Sequence, residues 1–130
     1  MTITNENDEA YANAAFINNS EEIVSEWTKK AEHFRVNKLE SGTAELDIPY
    51  GGSNRQKFDI FQPNTKPLGT VIFIHGGYWI DLDKSYWSHF ASGVLANGYR
   101  CVIPSYDLCP TVKISDITGQ IKSLMCYVLE

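Results

Sequence analysis

The sequence predicts an α/β fold, and three observations point to it. Two continuous apolar runs, Val71–Ile74 and Cys101–Ile103, are the length of strands. Each is followed by apolar residues at three- and four-residue steps, the period of a helix. Strand, helix, strand, helix with helices of this length is the pattern of parallel βαβ packing.

The elements follow in order. Residues 1–17 are polar and Asn-rich and are expected to fray. Ser20 suits an N-cap, with Glu21 and Glu22 in the first turn, where the helix dipole favours acids. Ile23, Val24, Trp27, Ala31 and Phe34 then predict an amphipathic helix over 21–34. Leu46, Ile48 and Tyr50 alternate with polar residues or proline, and Phe58 and Ile60 alternate around Asp59. With the turn cluster Gly51-Gly52-Ser53-Asn54 between them, they predict an antiparallel pair at a sheet edge. Pro49 fits an edge strand or a strand end. Thr70–Ile74, β-branched and aromatic, predicts a strand buried on both faces. Asp83 or a neighbour is expected to cap a helix carrying Trp87, Phe90, Ala91, Val94 and Leu95, stopped by Asn97-Gly98. Arg100–Ile103 predicts a second buried strand, ended by Pro104. Ile114, Ile117, Ile121, Leu124, Met125 and Val128 predict a final helix.

Composition narrows the function classes. The 130 residues suit one domain, 1–130, of ordinary globular composition. Net charge is −5, and residues 1–32 hold seven acids against two bases. That distribution argues against nucleic acid or an anionic membrane as partner, since both reward clustered Lys and Arg. No apolar run reaches the roughly 18 residues of a membrane span. The start lacks the basic and apolar regions of a secretory signal. Three cysteines, Cys101, Cys109 and Cys126, read as reduced thiols, so a cytoplasmic protein is expected. No spacing of His, Cys or carboxylates predicts a metal site, and no glycine pattern predicts a nucleotide cofactor.

The informative stretch is His75-Gly76-Gly77-Tyr78-Trp79. Two glycines after a strand let the backbone turn tightly and approach a ligand without a Cβ in the way. Ligands of open α/β sheets bind at the carboxyl ends of strands. Backbone N–H groups aimed there stabilise an oxyanion, usually the largest single contribution in acyl transfer. A glycine-rich loop of this kind forms half of the oxyanion hole in lipases and esterases.

In its wording the chain resembles the kynurenine formamidase (arylformamidase)-like branch of the α/β-hydrolases from about residue 18 onward. The matching pieces are Leu46-Asp47-Ile48-Pro49-Tyr50-Gly51, Phe58-Asp59-Ile60-Phe61-Gln62-Pro63 and His75-Gly76-Gly77-Tyr78-Trp79. Asp83-Lys84-Ser85, Gly98-Tyr99 and Pro104-Ser105-Tyr106-Asp107-Leu108-Cys109-Pro110 complete them. The resemblance implies the N-terminal half of an α/β-hydrolase fold, with an incomplete sheet. It implies hydrolysis of small amides or esters by Ser, acid and His, with no cofactor. Gly76, Gly77 and Tyr78 would donate oxyanion-hole N–H groups, with Gly77 and Tyr78 the stronger candidates by position. His75 would structure the loop, and Tyr78, Trp79, Tyr106 and Asp107 would line the pocket.

The Gly-x-Ser-x-Gly elbow of this fold is missing: none of the ten serines has glycine two before and two after. The nucleophile, acid and histidine would then lie beyond residue 130, and no activity is expected of the chain alone. His75 reads as a structural histidine rather than a base. His33 and His89 read as surface or satisfied residues on predicted helices, and Cys109 as a small buried thiol. Asp81, Asp83 and Asp107 read as turn and helix caps or as the mouth of the site. Two other readings are a split hydrolase completed by a second chain and a non-catalytic module pairing through the 71–74 strand edge. Self-association through that edge is also expected.

Overall fold

The structure is a computed structural model that describes residues 6–129. The start of the expected N-terminal fraying, residues 1–5, lies outside the described residues. Residues 6–17 form helix α1 (Glu6–Ala10) and a 3₁₀ turn (Asn13–Phe16), both without a buried residue.

Helix α2 spans Ser20–Glu40, longer than the apolar spacing predicts. The residue before it is Asn19, in the left-handed conformation, and Ser20 is already helical. No side chain caps this end, so the expected Ser20 cap is replaced by a backbone turn. The apolar repeat weakens after Phe34, but nothing breaks the helix until Gly42, at φ +67°.

Strands β1 (Ala44–Pro49) and β2 (Lys57–Phe61) form the predicted antiparallel hairpin, with β1 at the sheet edge and Pro49 at its end. One detail differs. The pairing register shifts between Glu45 and Ile48, and Asp47 has φ +57°. This bulge sends Leu46 to one face of the sheet and Ile48 to the other, breaking the simple alternation.

β3 (Thr70–Ile72) pairs in parallel with β4 (Arg100–Pro104), and β4 pairs antiparallel with β2. The strand order is β1-β2-β4-β3. β4 is central and buried as predicted. β3 is a correction: it ends at Ile72, lies at the other edge and is not buried on both faces, with Val71 39% exposed and Ile74, just past its end, 49% exposed. Among the described residues it has one strand neighbour, so its second edge and part of its side-chain row face outward.

The helix predicted between β3 and β4 is broken into two 3₁₀ turns, Lys84–Tyr86 and Ser88–Phe90, and helix α3 (Ala91–Ala96). Asp83 caps the first turn by accepting from the Ser85 N–H at 2.7 Å. Arg35 of α2 donates to the Ser85 carbonyl and, at 2.9 Å, to Ser88 Oγ. The Ser85 carbonyl thus bonds a side chain, and the helical ladder starts six residues later. Helix α4 (Ile114–Leu129) forms as predicted.

Helices cover both faces of this mixed sheet. Tyr50, Phe58 and Val102 pack under Leu124 of α4. On the other face, Phe61, Cys101 and Ile103 pack with Ala91 of α3 and Phe34 of α2. Both buried layers run through β4, which fixes the carboxyl ends of β3 and β4 side by side.

Candidate active site

The loop His75–Leu82 leaves the carboxyl end of β3 with an unusual backbone. Gly77, Tyr78 and Trp79 have φ of +118°, +52° and +61°, and Leu82 has +67°. Positive φ is readily adopted only by glycine, so two bulky aromatic residues in a row there hold backbone strain. At Gly77 a side chain is also excluded by space: a Cβ would sit 2.3 Å from the Asp81 carbonyl oxygen. That close approach follows from the turn itself, in which Ile80 and Asp81 N–H both donate to the Gly77 carbonyl, at 3.0 and 3.1 Å.

The strain is held by braces from elsewhere in the fold. The Tyr106 hydroxyl donates to the His75 carbonyl at 2.6 Å, and its ring stacks on the His75 imidazole at 4.4 Å. Arg55 bridges the far end of the loop, with Nε donating to the Tyr106 carbonyl and Nη2 to the Leu82 carbonyl, both at 2.7 Å. The Cys109 N–H donates to the Trp79 carbonyl at 2.8 Å. His75 Nδ1 lies 2.7 Å from the Gly76 carbonyl oxygen. These contacts all fix carbonyl groups. Among the described residues, none of the N–H groups of Gly76, Gly77 and Tyr78 has an acceptor.

His75 is buried, and burial lowers its pKa below the ordinary value, so the ring is neutral at neutral pH. A neutral imidazole beside the Gly76 carbonyl carries its proton on Nδ1, and Nε2 is buried without a partner. Tyr106 is only 2% exposed and stands behind the loop as a prop. Asp107 holds Ser53 Oγ at 2.7 Å with one carboxylate oxygen and Gln120 Nε2 at 2.8 Å with the other. Tyr78 and Trp79 are 58% and 47% exposed beside the unpaired N–H groups. Asn13 donates to the Tyr78 hydroxyl at 2.6 Å, bringing the N-terminal segment to the loop. Asp81 accepts from the Leu82 N–H at 2.7 Å.

Just past the loop lies a partly buried ion cluster. Lys84 Nζ sits 2.7 Å from Asp59 and 2.8 Å from Asp47. Asp59, between Phe58 and Ile60 of β2, is fully buried. At the bulge, the Asp47 N–H donates to Asp59 at 2.9 Å and helps satisfy this buried carboxylate. Burial works against the charge on Lys84, but the two carboxylates outweigh it and hold the ammonium above its ordinary pKa. The hydrogen bond from Lys84 holds Asp47 below its own.

Neither Asp59, Arg55 nor Asn13 was visible as a site residue in the sequence. Their roles come from a bulge and from contacts across the fold, and no spacing signals either. No serine or cysteine among the described residues is hydrogen-bonded to a histidine. No three His, Cys, Asp or Glu residues among them cluster to hold a metal. Among the described residues, no helix is long and apolar enough to cross a membrane.

No family model matches the chain. It is similar to kynurenine formamidase of Drosophila melanogaster, 28% identical over 81 residues, covering 61% of this chain and 27% of that protein. Against kynurenine formamidase of Salmo salar it is 30% identical over 87 residues, covering 65% and 30%. The chain therefore spans under a third of the length of these two relatives. Among solved structures, a Silicibacter protein provisionally described as a thioesterase superposes with a TM-score of 0.88 at 43% identity. That match covers 96% of this chain and 47% of the other. Esterase B of Lactobacillus rhamnosis shares the fold, with a TM-score of 0.56 at 24% identity over 62% of this chain and 28% of that one. In sequence and fold together, the chain is α/β-hydrolase-like and similar to part of the kynurenine formamidases.

Proposed function

We propose that the 76–78 loop is the oxyanion-stabilising element of a hydrolase for small esters or amides. The observation that carries this reading is the set of unpaired N–H groups at Gly76, Gly77 and Tyr78, on a loop whose carbonyls are pinned. As a substrate carbonyl is attacked, negative charge grows on its oxygen. Donors already fixed toward that oxygen need no reorganisation as the charge forms. The exposed rings of Tyr78 and Trp79 flank the position and favour a substrate with a flat apolar group. The kynurenine formamidase relatives make an aryl formamide the first substrate to try.

The same reading places the nucleophile outside these 130 residues, because they hold no Gly-x-Ser-x-Gly elbow. The chain alone is then inactive. The open edge of β3 supports a second arrangement, in which another polypeptide adds its strand there and brings the serine, acid and histidine.

The test has two arms, both using p-nitrophenyl acetate and formylkynurenine. The purified chain is expected to turn over neither. Turnover that disappears in His75→Ala or Cys109→Ala belongs to the chain and would overturn its inactivity. In the second arm the chain is mixed with a polypeptide carrying the elbow, acid and histidine. Activity is expected to appear there and to fall by about 10²-fold or more in Gly77→Ala. A reconstituted enzyme indifferent to Gly77→Ala removes the oxyanion assignment.

A further inference from the structure

A cleft of about 350 Å³ opens next to the ion cluster, between α2, the β1–β2 hairpin and the 84–86 turn. Arg35, Arg55, Lys57 and Lys84 line it, together with Ser105, Asp47 and Asp83. The acids there are already engaged. Asp47, and Asp59 buried behind it, hold Lys84, while Asp83 accepts from both the N–H and the hydroxyl of Ser85.

The cations are not used up in the same way. Arg35 donates through Nη1 alone, and Arg55 through Nε and Nη2. A guanidinium has five N–H donors, so each keeps several. Lys57 Nζ has no ion pair within 4.0 Å among the described residues and acts on Asp47 only at longer range. Ser105 Oγ accepts from the Lys84 N–H at 3.0 Å, leaving its own proton to give. Two carboxylates line the cleft with these four cations, and Asp59, buried behind it against Lys84, is the third, so the local balance is one positive charge in surplus within a chain of net charge −5. A concave wall concentrates such a field.

The geometry points to a binding site for a small singly charged carboxylate, held by Arg35, Arg55 and Lys57. The planar forks of two arginines match a carboxylate, and one negative charge cancels the surplus. This site lies apart from the 76–78 N–H groups and stands whether or not the hydrolase reading holds.

Amide spectra of the ¹⁵N-labelled chain test it, titrated with sodium acetate, sodium phosphate and sodium chloride at matched ionic strength. Acetate is expected to give saturable shifts confined to residues around 35, 46–47, 54–57, 83–85 and 105. Lys57→Gln is expected to weaken acetate about tenfold, the worth of one charged hydrogen bond. Lys66→Gln, an exposed lysine elsewhere, is expected to change nothing. Arg55→Lys keeps the charge but loses the fork, and is also expected to weaken acetate; it carries the test if Lys57→Gln does not fold. Shifts that fail to saturate, that chloride reproduces, or that Lys66→Gln weakens equally overturn the site. Saturation by phosphate without acetate overturns the choice of a carboxylate.

Discussion

His75 shows most directly how burial sets chemistry in this protein. Its ring is stacked on Tyr106 and neutral, because burial disfavours the imidazolium. In the unfolded chain the same ring takes up a proton near its ordinary pKa of about 6.5. The unfolded state therefore binds more protons below that pH. Stability is fully present above about pH 6.5 and falls as the pH drops through it toward the lower folded value. Urea denaturation at about pH 7.5 and pH 5.5 is expected to show this loss, and His75→Gln to show a smaller one. His89, also lowered by burial, keeps part of the slope in the variant. An unchanged slope in His75→Gln would mean that the ring titrates freely in the folded chain. The histidine and its two glycines were legible in the sequence because a strand ending in His-Gly-Gly leaves few backbone options. Arg55 and Tyr106 as braces were not, since nothing local marks which carbonyl a distant side chain will reach.

Elements were legible where periodicity was strong and illegible where side chains redirected the backbone. Helix α4 and the hairpin follow from their spacing. The segment after the loop does not, because Arg35 ties it to α2, the Lys84 side chain ties it to β2, and Asp83 caps its first turn locally. Lys84 is the strongest of these ties. Lys84→Met strands the Asp59 carboxylate in the interior, and is expected to cost about 3–5 kcal/mol of stability at neutral pH. Without its cation Asp59 has a higher pKa, so the deficit is expected to shrink as the pH falls and the carboxyl takes up a proton. Paired denaturation curves of wild type and variant check both points. A loss below about 1 kcal/mol, as for a surface pair, contradicts the buried cluster.

At the scale of the whole molecule the sheet has unequal edges. β1 carries a bulge and a terminal proline, both of which discourage pairing. β3 carries neither, and presents Val71, with Ile74 just past its end, beside an open row of backbone groups. The chain is expected to associate through this edge, eluting earlier from a sizing column as its concentration rises. Val71→Lys places a charge on the edge and is expected to restore the monomer. A wild-type chain that stays monomeric throughout removes this expectation. The braces on the strained loop add a consequence in time. Arg55 precedes Leu82 by 27 residues, and Tyr106 follows His75 by 31. During synthesis, the loop thus leaves the ribosome well before Tyr106 and Cys109, which pin two of its carbonyls. Until then its aromatic residues have little to keep them in the left-handed conformation. The loop can take its final shape only late, when β4 docks and the segment after it closes from behind.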